Sequence, residues 1–296
     1  MKWKKNIVFV RNKLLNLFFY FNFICLVLSV LQVFCFTSFK IPSDSMEPAL
    51  KAGDLILVNK LVKGARLFDV LKAVDGEDVD IYRIPGIGKL KRNDVLVFNF
   101  PYKEGRWDSI CFDVMKYYVK RCIALPGDTL EIRKGFYKIR GVDEILGNLY
   151  AQKDISESGK YNFSEMTMES FPNTVALNWT IQEFGPLVIP RKGLIMKVDQ
   201  NFYLLYKQLI SWEQKKKIRM DGKHILLNDS IIEKYEFIEN YYFVSGDNMA
   251  NSQDSRYWGM LPEPYIVGKA VYIWKSEDLC TGKIRWDRVM KKIRFN

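Results

Sequence analysis

Histidine is nearly absent: the 296 residues contain one, His224. It lies in Arg219-Met220-Asp221-Gly222-Lys223-His224, where Asp-Gly marks a hairpin turn and the imidazole reads as a solvated turn residue. A Ser-His-Asp triad needs a positioned imidazole and a His-based zinc site needs several, so both are excluded. Cysteine is scarce as well, with Cys25, Cys35, Cys111, Cys122 and Cys280 and no CxxC pair. That excludes thioredoxin-like and paired-thiolate metal chemistry, and no metal and no cofactor are expected. Cys25 and Cys35 lie in an apolar stretch as filler. Cys111 and Cys122 are either bridged or unpaired, because sequence does not give their Cα separation. Internal repeats and low-complexity tracts are lacking too.

Acidic residues are in deficit, 34 against 45 Lys and Arg, for a net charge of +11. Such an excess suggests an anionic partner. The basic residues gather at the two chain ends rather than on one helix or repeat, so an anionic lipid surface is expected and nucleic acid is not. Charge is missing altogether from Leu14 to Phe39. About 26 residues of helix rise about 39 Å, enough to cross a hydrocarbon core of about 30 Å with tilt. A cleavable secretory signal would have a shorter core and an A-x-A-like end. This stretch is too long and ends in Thr37-Ser38-Phe39, so it is read as a retained anchor. Lys2, Lys4, Lys5, Arg11 and Lys13 precede it, which places residues 1–13 in the cytoplasm and the remainder beyond the plasma (inner) membrane.

After Ile41 the texture is β, with apolar runs bounded by Gly, Pro, Asn and Asp. Strands are expected at Leu55–Val58, Val95–Phe100, Met115–Leu125, Thr129–Ile132, Phe237–Val244 and Tyr265–Trp274. A short helix is expected at Arg66–Leu71. Residues 141–236 are more polar, including the run 154–159, and carry a candidate helix over Phe202–Lys217. The expected organisation is a cytoplasmic N-terminus (1–13), an anchor (14–39), a catalytic β domain in two parts (40–140 and 237–280) around an inserted mixed subdomain (141–236), and a basic tail (281–296). The tail reads equally as a membrane-surface element or a solvated terminus.

Three stretches could carry chemistry. In Ile41-Pro42-Ser43-Asp44-Ser45-Met46-Glu47-Pro48 two prolines stiffen a non-helical backbone. A serine there can present its Oγ to a groove and leave its N–H for a developing oxyanion. In Tyr117 to Asp128, Lys120 sits among strand formers. Alternation puts Tyr118, Lys120 and Cys122 on one face and Val119, Arg121 and Ile123 on the other. An edge-strand lysine is one reading. A buried, neutral lysine is the other, since desolvation lowers a lysine pKa by up to several units. The third stretch, Ser245 to Gly259, packs hydroxyls, turn formers and an Asp254/Arg256 pair into one loop. Calcium-loop spacing is not met there. Ser252 is expected to hydrogen-bond the lysine amine, and Asp254 with Arg256 to form a buried pair pinning the loop.

These stretches resemble the bacterial signal peptidase I family, membrane-bound Ser/Lys proteases. The matching residues are Ser-x-Ser-Met-x-Pro-x-Leu at 43–50, Arg-Asn-Asp-Val-Leu-Val-Phe at 92–98, Tyr-Val-Lys-Arg-x-Ile-x-Leu-Pro-Gly-Asp at 118–128 and Gly-Asp-Asn-x-x-Asn-Ser-x-Asp-Ser-Arg-Tyr-Trp-Gly at 246–259. They occur in family order. The resemblance covers the anchor and most of 40–133 and 240–274, and leaves 64–90 and 141–236 uncovered. It implies a mainly antiparallel β catalytic domain of the signal-peptidase type and cleavage of signal peptides from exported precursors. Ser45 would be the nucleophile and Lys120 the general base. The Ser45 N–H and Ser43 hydroxyl would form the oxyanion hole, and Ser252 would orient Lys120. Arg121, Asp254 and Arg256 would be structural. Ile41, Pro42, Met46, Leu50, Tyr118 and Val119 would line shallow pockets for small substrate residues. Two departures stand out: Asp44 replaces a common Gly, and Met249-Ala250 replace Arg-Asp. A self-cleaving Ser/Lys repressor would share the chemistry but need a DNA-binding domain, which residues 1–40 do not offer. The rival of another class is a catalytically inactive, membrane-tethered β domain that binds peptides or lipid.

Overall fold

The computed structural model describes residues 2–103, 106–157 and 168–294. A helix runs over Lys2–Phe34. Leu14, Phe18, Phe21, Leu26 and Leu28 all face outward, and none of Arg11–Phe34 is packed inside the protein. A helix apolar on every side needs an apolar surround, and 24 residues are enough to cross a membrane. Its polar side chains bond within the helix: Asn22 Nδ2 donates to the Phe18 carbonyl at 2.8 Å and Ser29 Oγ to the Cys25 carbonyl at 2.9 Å. A bilayer demands such internal satisfaction.

The helix ends at Phe34, short of the expected Phe39. Phe36–Lys40 forms a strand, paired antiparallel with Asp54–Asn59 from Phe36↔Asn59 to Lys40↔Leu55. Cross-strand bonds claim a segment that is apolar enough for helix but placed beside a ready partner. The strand leads directly into the Ser45 stretch. Eight antiparallel strands make the main sheet, in the order Phe36–Lys40, Asp54–Asn59, Ile266–Ser276, Val95–Asn99, Tyr117–Ala124, Tyr241–Ser245, Leu261–Pro262, with Lys291–Lys292 added against Ile266–Ser276. Val95–Asn99 is buried along its whole length because it has a neighbour on each side. The fold is thus mainly antiparallel β with one N-terminal apolar helix, as the sequence implied.

Residues between Arg140 and Phe237 hold small sheets and two helices, Leu149–Glu157 and Gln200–Gln214. The second lies where Phe202–Lys217 was expected. Asp199 caps it by accepting from the Phe202 N–H at 2.8 Å. Its inner face, Phe202, Tyr206, Leu209 and Ile210, shares one core with Ile123, Ala124, Tyr241 and Phe243 of the main sheet. Ser158 and Gly159 of the polar run lie outside the described residues. The expected hairpin forms from Ile218–Asp221 and His224–Leu227, with His224 exposed. At 66–71 the expected helix is shifted: Arg66–Leu67 is a strand and the helix is Val70–Val74, started by the Asp69 cap. All five cysteines are free thiols, so Cys111 and Cys122 are not bridged.

The C-terminal tail is not simply a solvated end. Arg288, 6% exposed, pairs with fully buried Asp54 at 2.5 Å, and Ser276 Oγ donates to the same carboxylate at 2.6 Å. A buried carboxylate costs several kcal/mol unless it is paired, and Asp54 draws the tail onto the sheet. Lys291 and Lys292 remain exposed.

Candidate active site

Ser45 opens a tight turn directly after the first strand. The Glu47 N–H donates to the Asp44 carbonyl and the Leu50 N–H to the Met46 carbonyl, each at 2.9 Å. The Ser45 carbonyl accepts from the Asn248 N–H at 3.1 Å, while among the described residues the Ser45 N–H has no partner. The Ser43 and Ser45 hydroxyl oxygens are 3.4 Å apart.

Lys120 lies mid-strand, opposite Leu96. Its second neighbour joins the strand only from Arg121 onward, yet Lys120 is 4% exposed, so the solvent-facing reading fails. Its Nζ donates to Ser45 Oγ at 2.6 Å. Burial lowers the amine from 10.5 to about 8; Asp254 opposes this, Arg256 assists, and Asp247 and Asp44 oppose more weakly. A neutral amine in contact with a hydroxyl can take its proton, which is the requirement for a serine nucleophile without histidine.

The third loop closes over this pair. Asp254 and Arg256, both fully buried, form an ion pair at 2.9 Å. Burial would raise the Asp254 carboxyl, but the Arg256 guanidinium and the Gly246 N–H hold it below its ordinary value. Asp254 also accepts from Ser245 Oγ at 3.1 Å, from Ser252 Oγ at 2.8 Å and from the Gly246 N–H at 2.9 Å. The Ser252 hydroxyl thus bonds Asp254, whereas the Lys120 amine bonds Ser45. Ser252 does not hydrogen-bond the lysine as expected, because the carboxylate is the stronger acceptor for its proton.

Two parts of the network escaped the sequence. Arg121 forks onto Asp247, with Nε to Oδ1 at 2.6 Å and Nη2 to Oδ2 at 2.5 Å, and its Nη1 donates to the Asn93 carbonyl at 2.7 Å. The Tyr137 hydroxyl donates to Ser245 Oγ at 2.7 Å. Asp247 stood in the quoted Gly-Asp-Asn run, so an acid near the Arg121 side of the strand was a usable signal. Tyr137 gave none. Asp44, read as an added charge, is held by Asn251 Nδ2 at 3.0 Å to each oxygen. Met249 is 1% exposed and its carbonyl accepts from Arg256 Nη2 at 2.8 Å, so the departure at 249–250 leaves the Asp254–Arg256 pair formed.

The expected pocket residues divide. Ile41, Met46 and Leu50 are at most 3% exposed and belong to the core with Val95 and Val97. They back the site from beneath and present almost no surface. Pro42, Tyr118 and Val119 keep accessible surface beside Ser45.

Gly246 sets the closeness of loop to nucleophile. A Cβ there would lie 2.5 Å from the Ser45 carbonyl oxygen and closer still to Ser252 Oγ. Gly246→Ala is expected to push the turn away and lower kcat/KM by about 100-fold, the usual cost of misplacement near 1 Å. Kinetics beside a melting curve check this. Full activity with alanine present would show that the contact does not constrain Ser45.

A sheet domain behind an apolar helix, with a buried amine against a half-buried turn serine, has the groups that acyl transfer without histidine would require. The comparisons place it more narrowly. The family model "Signal peptidase, peptidase S26" matches residues 14–275. Signal peptidase I of Pseudomonas aeruginosa is 31% identical over 262 residues, 84% of this chain and 68% of that protein. Signal peptidase I of Buchnera aphidicola subsp. Baizongia pistaciae is 28% identical, covering 97% of this chain and 86% of that protein. That of Aquifex aeolicus is 29% identical over 90% of this chain and 85% of that protein. The chain belongs to the signal peptidase family, peptidase S26, and is a peptidase.

Proposed function

We propose that this protein is a membrane-anchored serine endopeptidase that removes N-terminal signal peptides from exported precursors with a Ser45/Lys120 dyad. The observation that carries this is the 2.6 Å contact between the buried Lys120 amine and the Ser45 hydroxyl. An extended signal peptide adds as a strand beside 41–45, so that main-chain bonds fix the scissile carbonyl over Ser45. On the other side, Val119 and Lys120 pair with Val97 and Leu96, and among the described residues Tyr241–Ser245 joins that strand from Arg121 onward. This leaves a strand edge next to the amine. Lys120 takes the Ser45 proton as Oγ attacks. The Ser45 N–H and Ser43 hydroxyl receive the oxyanion, and Lys120 returns the proton to the leaving amine. Water, activated by the same amine, then hydrolyses the acyl-enzyme. Ser252 acts on Lys120 through Asp254, and Arg121 and Arg256 hold the loop. Pro42, Tyr118 and Val119, backed by Ile41, Met46 and Leu50, shape shallow pockets for small residues. The N-terminus is cytoplasmic, the catalytic domain lies outside the plasma (inner) membrane, and anionic lipid is the surrounding partner.

A purified precursor with alanine before its cleavage site, incubated with the full chain in detergent, tests this. The expected result is one new N-terminus by mass spectrometry and labelling of Ser45 alone by a serine-directed acylating probe. An intact precursor together with an unlabelled, folded protein would favour the non-catalytic binder instead.

A further inference from the structure

We propose that the pocket between the end of the apolar helix and the outer sheet binds the phosphate of an anionic phospholipid through Lys60 and Arg66. The pocket has a volume of about 500 Å³ and takes Gln32 from the helix, Thr37 and Phe39 from the first strand, and Lys60, Arg66 and Tyr117 from the domain. No acidic residue lines it.

Its two cations lack counter-charge. Lys60 Nζ donates to the Gln32 and Val33 carbonyls at 2.8 and 3.1 Å, which leaves one of its three N–H groups. Arg66 Nη1 donates to Asn99 Oδ1 at 2.8 Å and to the Tyr265 carbonyl at 3.1 Å. Among the described residues its Nε and Nη2 have no hydrogen-bond partner, and the guanidinium lies 5.7 Å from each of the Phe68 and Phe112 ring centres. Asp69, close by in sequence, is committed to its own helix, accepting from the Leu71 and Lys72 N–H groups. Arg92, Arg121, Arg256 and Arg288 each hold a carboxylate, whereas Arg66 and Arg83 bond neutral oxygens, and of these two Arg66 lines the pocket. Burial pulls Arg66 down to about 10, with Arg83 adding to the effect, and it pulls Lys60 down as well, with Arg66 adding. Each charge is strained as it stands, and an anion between them relieves both.

Position selects the anion. Ser29, Gln32 and Val33 belong to the last turns of the helix. If Arg11–Phe34 spans the bilayer, as the proposed function requires, these turns lie at headgroup depth. A phosphate there meets two donors while its acyl chains follow the outward-facing Leu26, Leu28 and Leu31. A signal peptide fits less well, since the end that reaches this side of the membrane is a small-residue cleavage region that brings no phosphate-like anion.

The test uses the full chain in mild detergent with photoactivatable phosphatidylglycerol and its phosphatidylcholine counterpart. Phosphatidylglycerol is expected to label peptides carrying residues 29–39, 60–68 or 117, about tenfold more than phosphatidylcholine does. Lys60→Gln and Arg66→Gln should each reduce that labelling about tenfold, or about 1.4 kcal/mol, without loss of folded protein. Should Arg66→Gln fail to fold, Lys60→Gln and competition by unlabelled phosphatidylglycerol on the unaltered chain give the same reading. Equal labelling by both lipids, labelling centred on Lys291 and Lys292, or equal competition by free glycerol phosphate would overturn the lipid site. So would displacement by a signal peptide at matched concentration. Precursor cleavage in lipid-free detergent is measured in parallel: labelling with no cleavage defeats the proposed function alone, and cleavage with no labelling defeats the lipid site alone.

Discussion

Lys120→Met is expected to reduce kcat/KM for a precursor by at least about 10⁴-fold, the upper range for a lost general base, while making the folded protein more stable near pH 7. The two effects have one cause. Methionine fills the same buried space but carries no amine, so Ser45 loses the proton acceptor proposed for it. The stability gain follows from linkage. The folded-state pKa of Lys120, about 8, lies below its ordinary 10.5. Between those values the unfolded chain binds more protons, so the native lysine protein gains stability as pH rises through that window and is penalised below it. The full penalty corresponds to about 3 kcal/mol. Methionine removes it, and the melting temperature should rise at pH 7 and converge with the native protein's above pH 10. For the native enzyme, kcat/KM should climb about tenfold per pH unit below 8 and level off above, since only the neutral amine is a base. Lys120→Arg, permanently charged, should be as inactive as Lys120→Met without the gain in stability. Cleavage rates from pH 6 to 10, beside melting curves, decide this. Activity surviving in Lys120→Met would dismiss Lys120 as the base.

The sequence made the sheet legible wherever apolar runs met clear stops. Val95–Asn99 ends at Pro101 and Tyr117–Ala124 ends at Pro126, and both lie where alternation and turn residues place them. It misled at Phe36–Lys40, because hydropathy does not distinguish a membrane helix from a strand that starts at the membrane face. The tail misled for a related reason. A basic terminus looks solvated until Asp54, 234 positions away from Arg288, is known to be buried against it. The Lys120–Ser45 contact and the Asp254–Arg256 pair were readable because each of these residues is chemically odd in its local context. The Ser252 contact was not, since two acceptors competed and only coordinates say that Asp254 lies nearer than the amine. Tyr137 was hidden because a long-range partner leaves no mark on neighbouring residues, whereas Asp247 was marked by its place in the Gly-Asp-Asn run.

Asp254→Asn and Arg256→Met should shift the pH profile in opposite directions while both destabilise the protein. Each leaves the other member of a fully buried pair without its counter-charge, at a cost of about 3–5 kcal/mol. A loss of fold alone would lower activity at every pH and move no midpoint. The charges act differently on the base. Asp254 raises the Lys120 pKa and Arg256 lowers it. Removing the carboxylate charge should therefore move the rise in kcat/KM to lower pH, and removing the guanidinium should move it to higher pH. The double variant should regain only part of the lost stability, because the neutral Asn amide oxygen accepts from Ser245, Ser252 and the Gly246 N–H more weakly than the carboxylate does. Midpoints moving in the same direction for both single variants would mean that the pair supports the loop without tuning the amine. Opposite movement would tie the third loop directly to the proton affinity of the base.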